Sequence, residues 1–373
     1  MLTRRRFLTL TSLAVPAALA TTSLVPETAV AAPEATPGVR HWLDWIAEHR
    51  DTVAVAADPG TGRTLTHRQH RPHVLASTIK VVHLAGYASA VAERRLDPEE
   101  PIKVGDWDAH HPYVSDGGAH RAALTALGIP CDDYGIADDP EQTVPLDALA
   151  AAMIDFSDNA ATDYLRVRLG DRALHRAAAA GGWHRPDLRS LQGEVLQLIL
   201  PECAAPAGAP AALRRAIGDR LAARFVRDLK FRDQVFARIP EMPQTTDEQW
   251  PWTRGHGRGT AAQLAGMHHA LAGGRFRPRQ ALPIAHGHLE RALAPLTPEG
   301  ADGVGFKGGS LPRTLNLGLS VRWQDGRTGV LALMLSGVSD ADLGDPATDA
   351  LRLGFEVLTR PERFAQLAEA LHP

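Results

Sequence analysis

Three strand-like runs lie close together in residues 303–335, which read GVGFKGGSLPRTLNLGLSVRWQDGRTGVLALML. The runs cover residues 303–307, 315–323 and 329–335, where β-branched and other apolar side chains are frequent. Gln324-Asp325-Gly326 separates the last two runs and is typical of a tight hairpin turn. The pattern predicts three antiparallel strands near the C-terminal end of the chain.

The remaining strand signals lie near the opposite end. Residues 52–57 alternate, a Pro/Gly-rich turn follows, and residues 64–68 return as a second strand. Strands at both ends and helices between them predict an α+β fold of the three-layer α/β/α type, with one antiparallel sheet built from both ends. We expect an α/β lobe from residues 38–75 and 260–373, and an all-α lobe from residues 76–259.

Helices are predicted where apolar residues recur at helical spacing. They cover residues 39–50, 77–95, 145–156, 160–169, 172–180, 210–225, 260–272 and 347–371. Two excursions, 104–140 and 240–259, contain no long periodic segment and are expected to be irregular.

Three short segments on this frame carry the candidate chemistry. In chain order they are Ser77-Thr78-Ile79-Lys80, Ser157-Asp158-Asn159 and Lys307-Gly308-Gly309. Taken singly, each is compatible with a helix cap, a turn or a strand end. However, only four of the 40 basic residues are lysines, and two of these four stand in the segments. A buried lysine can lose its proton whereas an arginine cannot, which suits a site that needs a neutral amine.

Together the segments can build an acylation site. A serine hydroxyl needs a base within hydrogen-bonding reach, and Ser77 and Lys80 are one helical turn apart on one face. Lys80 acts as a base only if burial or nearby positive charge lowers its pKa. Ser157 is expected to relay a proton to the leaving nitrogen. Asn159 is expected to orient Lys80, and Lys307 to attract a substrate carboxylate.

The three segments resemble the Ser-x-x-Lys, Ser-Asp-Asn and Lys-[Ser/Thr]-Gly signature of class A β-lactamases and penicillin-binding proteins. The resemblance covers residues 38–372 and implies a β-lactamase/transpeptidase-like fold that needs no cofactor and no metal. It implies that Ser77 is the acylated nucleophile and that Lys80 accepts its proton. The substrate-binding residues it implies are Asn159, Lys307, Gly309 and Ser310, with backbone N–H groups of Ser77 and Ser310 as the oxyanion hole.

The chain departs from the family pattern in three places. Gly308 replaces a hydroxyl residue, for which Ser310 is expected to compensate in part. Both spacings between the motifs exceed those of compact class A enzymes, which indicates insertions at 104–140 and within 200–258. The family's Glu-x-x-Leu-Asn pattern, which supplies the deacylating glutamate, has no match. The nearest carboxylate, Glu194, is either a water-activating base or a surface-loop residue.

A cluster of potential metal ligands occurs in the first excursion. Its members are Asp106, Asp108, His110, His111, Asp116 and His120. The ligand types suit a metal, but no recognised spacing is present. We therefore expect a solvated loop that lines the cleft, without a metal.

The first residues predict export. A twin-arginine pair lies in Thr3-Arg4-Arg5-Arg6-Phe7-Leu8, a weakly apolar stretch too short to span a bilayer follows, and Ala29-Val30-Ala31 is a small-residue cleavage site. Residues 1–31 are thus predicted to be a twin-arginine signal, and the mature protein to be periplasmic or extracellular. There, Cys131 and Cys203 form either a disulfide or two separate buried thiols.

The formal net charge of -3 names no nucleic acid or anionic membrane as a partner. We expect a monomer without a membrane span that acts on a small molecule, either a β-lactam or a peptidoglycan-like compound. The leading function is β-lactam hydrolysis through an acyl-serine; D-alanyl-D-alanine peptidase or esterase activity and a trap or sensor that reacts once are the alternatives. The divergence around Glu194 favours the two alternatives.

Overall fold

The computed structural model describes residues 35–206 and 208–372 of the 373-residue chain, so the predicted signal at 1–31 lies outside the described residues. The strands of the described part are β1 (Val53–Asp58), β2 (Leu65–His67), β3 (His73–Val74), β4 (Pro101–Lys103), β5 (Thr143–Pro145), β6 (Arg258–Gly259), β7 (Ala301–Leu311), β8 (Thr314–Trp323) and β9 (Thr328–Ser336).

Helices make up most of the remaining structure. They are α1 (Pro37–Glu48), α2 (Lys80–Ala92), α3 (Val104–Asp108), α4 (Ala119–Ala126), α5 (Leu146–Ala151), α6 (Asn159–Leu169), α7 (Asp171–Ala180), α8 (Leu191–Ile199), α9 (Ala211–Arg227), α10 (Leu229–Arg238), α11 (Thr246–Thr253), α12 (Ala261–Ala272), α13 (Ala281–Leu289), α14 (Asp340–Leu343), α15 (Pro346–Thr359) and α16 (Pro361–Leu371). Within the described ranges, no helix is both long and apolar enough to cross a membrane.

The central sheet has five antiparallel strands in the order β2-β1-β9-β8-β7. Strands from both ends of the chain meet where β1 pairs with β9, with Val53 opposite Leu335. This pairing confirms the predicted α+β fold and the sheet assembled from both ends.

Helices pack against both faces of the sheet. Successive side chains of a strand point to opposite faces, so each strand contributes to two cores. Val53 and Val55 of β1 join a core with α1, α15 and α16, whereas Ala54 and Ala56 join a second core with α2, α12 and α13. Small residues on this second face let the helices pack closely. The predicted three-layer arrangement is therefore present.

A third hydrophobic core lies in the region predicted to contain an insertion. Residues of α8, α9 and α10 build it, including Leu196, Phe225 and Val235. The sequence pattern predicted only α9 of these three helices. The segment predicted to contain the second insertion thus forms, together with α8, a small helical unit with its own core.

Several local predictions are wrong in detail. The excursion at 104–140 contains α3 and α4, and the one at 240–259 contains α11. The predicted single helix over 347–371 is two helices, α15 and α16, separated at Arg360 and Pro361. Proline lacks the N–H that would continue the first helix, and it favours the first turn of the second. Cys131 and Cys203 are both unpaired, and Cys203 is exposed rather than buried.

Candidate active site

Hydrogen bonds from two directions fix the backbone that leads to Ser77. The N–H of Leu75 donates to Gly257 O at 3.0 Å, which extends the β3–β6 pairing. The buried Asn316 amide of β8 donates to Val74 O at 2.8 Å and to Leu75 O at 3.1 Å. The chain then turns through Ala76, whose φ is 48°, into a 3₁₀ turn that runs on into α2. Ser77 lies at the start of this turn and is partly exposed.

Strand β7 lies directly against this turn. A Cβ atom on Gly309 would lie 2.6 Å from Ser77 N and 2.7 Å from Thr78 N. Real Cβ atoms essentially never come this close to backbone, so only glycine allows the approach. β7 does not end at Lys307, as the sequence suggested, but continues to Leu311 and carries Ser310 to the cleft.

Lys80 is fully buried, and its amine is surrounded by oxygen atoms. Nζ donates to Ser157 O, to Ser157 Oγ at 3.1 Å and to Asn159 Oδ1 at 2.7 Å. None of these three bonds goes to Ser77 Oγ. Asn159 Oδ1 accepts from Lys80, and Asn159 also lines the cleft. The Asn159 NH₂ group is therefore available to donate to a ligand in the cleft.

The Ser157 hydroxyl bridges two lysines. Lys80 Nζ and Lys307 Nζ each donate to Ser157 Oγ at 3.1 Å, and Lys307 also donates to Gly308 O at 2.9 Å. Ser157 itself has the left-handed φ of 61°, which is uncommon outside glycine and frequent at functional sites. The structure therefore brings Ser157 and both motif lysines into one buried cluster.

Burial lowers the pKa of both lysines. It lowers the pKa of Lys80 to about 7, although the carboxylates of Asp158 and Asp163 oppose the shift. The pKa of Lys307 lies well below its usual value, first because of burial and second because of the nearby Lys80 charge. A neutral amine has a lone pair and can accept a proton, so near pH 7 Lys80 can act as a base.

The aspartate of the second motif is held from behind by a buried histidine. His120 Nδ1 lies 2.7 Å from Asp158 Oδ2, and His120 Nε2 lies 2.9 Å from Asp108 Oδ1. Burial opposes a charge on His120, but the two carboxylates outweigh it and raise its pKa to about 10. Asp158 also caps α6 by accepting from Ala161 N at 3.1 Å. The imidazolium thus fixes the loop that presents Ser157 and Asn159.

This arrangement corrects the prediction of a solvated loop at 104–140. His111, Asp116 and His120 are buried, and Asp116 accepts from the N–H groups of Gly118 and His120 at 2.9 Å each. In the part of the chain that the structure describes, no group of three or more His, Cys, Asp and Glu side chains is arranged to hold a metal ion. Instead, the charged His120 imidazole lies between the carboxylates of Asp108 and Asp158 and compensates part of their charge.

A cleft of about 180 Å³ opens at Ser77. Motif residues form one side of it, and the two insertions form much of the rest. Its walls contain Ala76, Ser77, Ser115, Asp116, Asn159, Leu191, Val195, Gln244, Thr246, Gln249, Trp252, His256, Ser310, Leu311, Asp340 and Leu343. Lys80 and Lys307 are joined to this surface through Ser157 and Asn159.

Glu194 does not line this cleft but borders a neighbouring cavity. Its carboxylate lies 3.3 Å from Arg189 Nη1 and 3.7 Å from His256 Nδ1. Glu194 is buried in α8, so its interpretation as a surface-loop residue is wrong. Burial raises its pKa to about 7, against the nearby Arg189 charge. The residues of α8 that do line the cleft are Leu191 and Val195, both apolar.

Several residues of the site escaped the sequence interpretation. Asn316, Gln249 and His256 belong to no motif, and nothing in their local sequence distinguishes them. His120 and Asp108 were noticed, but as potential metal ligands rather than as partners of Asp158. His120 lies 12 residues from Asp108 and 38 residues from Asp158 in the chain, so the local sequence does not indicate these contacts.

Comparison with known proteins gives consistent results. A model of the beta-lactamase enzyme family matches residues 42–282, which is more than half of the chain. This match includes the first two motifs and ends before Lys307. A search of curated protein sequences found no match.

Two solved structures illustrate the similarity in fold. The beta-lactamase from Sphaerobacter thermophilus aligns over 86% of this chain and 97% of its own, with 19% identity and a TM-score of 0.54. A mutant of the last common ancestor of Gram-negative bacteria beta-lactamase class A aligns over 87% of this chain and 99% of its own, with 19% identity and a TM-score of 0.50. At such identities the likeness concerns the fold alone.

Proposed function

The chain belongs to the beta-lactamase enzyme family, and on this premise we propose that it is a serine hydrolase that opens β-lactams through an acyl-serine on Ser77. One observation carries the proposal. The Ser157 hydroxyl accepts hydrogen bonds from both Lys80 and Lys307 in a buried cluster beside the cleft at Ser77.

The acylation step follows from this cluster. Ser77 Oγ attacks the β-lactam carbonyl carbon and its proton passes to the neutral Lys80 amine. None of the three hydrogen bonds that Lys80 Nζ donates goes to Ser77. Lys80 must therefore first give up one of its bonds to Ser157 or Asn159. The proton then travels through the Ser157 hydroxyl to the ring nitrogen as the C–N bond breaks. The product is an ester between Ser77 and the opened substrate.

Charge and backbone dipoles stabilise this reaction. Backbone N–H groups of Ser77 and Ser310 are proposed to bind the developing oxyanion. The Lys307 amine is proposed to attract the substrate carboxylate, and a bound carboxylate would raise the lowered pKa of Lys307 and restore its charge. The Asn159 NH₂ group is proposed to bind the substrate's amide carbonyl.

A second candidate function, an acyl trap or sensor that releases its product slowly, is favoured by one specific observation. The face of α8 in the cleft carries Leu191 and Val195, and the Glu194 carboxylate lies in the neighbouring cavity with Arg189. An apolar wall cannot hold and deprotonate the water that hydrolyses the ester.

Intact-protein mass spectrometry with a penicillin tests the proposal and separates the two candidates. An adduct that forms and disappears with loss of drug supports hydrolysis, and a persistent adduct supports the trap. Ser77→Ala is expected to abolish the adduct while the thermal unfolding temperature stays near that of the wild type. Labelling that survives this substitution would refute the nucleophile. No adduct on the wild type would instead favour an ester or peptide substrate.

We also propose that residues 1–31 direct export by the twin-arginine pathway and that residues 32–373 act as one catalytic unit in the periplasm or outside the cell. The arginine pair and the small-residue cleavage site support this proposal. Cleavage after Ala31 would be visible as the mass of the secreted protein.

A further inference from the structure

Both insertions reach the cleft, where they add a wall that the three motifs do not supply. Ser115 belongs to the first insertion, whereas Gln249 and His256 belong to the second. Gln249 lies on α11, which is anchored at each end. Thr246 donates to Asp340 near the first end, and Trp252 Nε1 donates to Glu194 O at 2.8 Å near the other. α11 therefore connects α14 with α8 beside the cleft.

Three polar atoms of this wall lack hydrogen-bond partners. Gln249 is 4% exposed, and its Nε2 donates to Pro243 O at 2.8 Å, which leaves Oε1 as a buried acceptor without a hydrogen bond. Ser115 Oγ and His256 Nε2 are likewise buried and without partners. A buried polar atom without a partner destabilises the fold, so these atoms are suited to bonds that a ligand completes.

The unsatisfied atoms need hydrogen donors rather than acceptors. Gln249 Oε1 is an acceptor only. His256 is uncharged near pH 7, because burial together with Arg189 and Arg214 lowers its pKa to about 3. An uncharged imidazole carries a proton on only one ring nitrogen, so the other nitrogen can accept a hydrogen bond.

The charged residues that line the cleft favour the same kind of ligand as its unpartnered polar atoms. Asp116 and Asp340 line the cleft, and no lysine or arginine does so among the residues that the structure describes. The lining of the cleft thus offers carboxylates together with the buried Gln249 acceptor. A group with positive charge and N–H bonds matches both features.

Resting on the proposed function, we propose that Gln249 is a specificity-determining residue, which accepts a hydrogen bond from a protonated amine on the acyl side chain of the substrate. The insertions then select among substrates that share one reactive core. Ser115 and His256 complete the subsite.

The test uses two penicillins that differ only in whether the side chain carries a free amine. The second-order rate of adduct formation on the full-length mature protein is measured for each by mass spectrometry. We expect Gln249→Met to lower the ratio of the amine rate to the amine-free rate about tenfold, since the variant loses a hydrogen bond to a charged group. The amine-free rate is expected to stay within about twofold of the wild type, which shows that the site is intact.

Gln280→Met serves as the matched control, because Gln280 is exposed and remote from the cleft lining. It is expected to leave the ratio unchanged. Gln249→Ala is measured in parallel, so that a folding defect in one variant does not decide the result. An unchanged ratio in the Gln249 variants would overturn the subsite while the acyl-serine proposal stands. Absence of any adduct on the wild type would overturn both.

Discussion

The pH dependence of acylation is the sharpest consequence of the buried Lys80. Burial lowers the pKa of this amine to about 7, and in the proposed mechanism its neutral form accepts the Ser77 proton. Protonation therefore switches the base off as the pH falls through this value. The acylation rate is expected to rise with pH below 7 and to level off above it.

The size of the effect follows from the titration. With a pKa of about 7, roughly a tenth of Lys80 is neutral at pH 6 and roughly nine tenths at pH 8. Acylation is thus expected to accelerate nearly tenfold between these two values. A lysine with its ordinary pKa would be neutral only to about one part in a thousand near pH 7.

The assay is the second-order rate of penicillin adduct formation between pH 5 and 10, followed by mass spectrometry. Lys307 can add a descending limb, since it loses its charge above its own lowered pKa and then attracts the substrate carboxylate less. The methyl ester of the same penicillin carries no carboxylate. With this ester the descending limb should disappear, whereas the ascending limb should stay.

Lys80→Arg provides the control, because a guanidinium keeps its proton at every pH in this range. We expect its acylation to be roughly 10²–10⁴-fold slower, the usual contribution of a general base. An ascending limb centred near pH 10, or an Arg variant with nearly normal rates, would refute the assignment of Lys80 as the base.

Three further substitutions test the surroundings of the site. His120→Ala leaves two buried carboxylates uncompensated and is expected to lower the free energy of unfolding by about 3–5 kcal/mol, measured by denaturant titration. Adding Asp108→Asn should recover part of this loss, and a change below about 1 kcal/mol in the single variant would contradict the charged network. Gly309→Ala places a methyl group 2.6 Å from Ser77 N and should reduce adduct formation at least about tenfold, while a normal rate would show that β7 can move away. Glu194→Gln is expected to leave the rate of adduct loss unchanged within about twofold, and a clear slowing would show that this carboxylate reaches the acyl group after all.

Signals that are local in the sequence predicted the sheet and the three motifs. The strand runs, the hairpin turns and the Ser77–Lys80 spacing are each contained within a few residues, so no knowledge of the fold was needed. Helix α8 was not predicted, because it lacks a local signal of this kind. Eight of its nine residues are buried, so its sequence lacks the alternation of apolar and polar faces that marks a surface helix.

The side of α8 on which Glu194 lies also required the structure. Successive helix residues are rotated by about 100°, so Val195 and its neighbour Glu194 face different directions. Whether Glu194 or Val195 faces the cleft depends on how α8 packs against α9 and α6. α11 was missed because Pro251 and two tryptophans interrupt any helical pattern, although its capping box of Thr245 and Glu248 is present in the structure.

The motifs alone do not explain the geometry of the site, because the insertions hold it in place and shape its substrate wall. His120 of the first insertion fixes Asp158, and through it the Ser157 hydroxyl that both lysines share. Gln249 of the second insertion, whose Oε1 has no partner, lines the same cleft as Ser77, together with Leu191 and Val195 of α8. Changes in the insertions should therefore alter substrate choice and the lifetime of the acyl-enzyme more than the formation of the ester, which depends on Ser77 and the lysines.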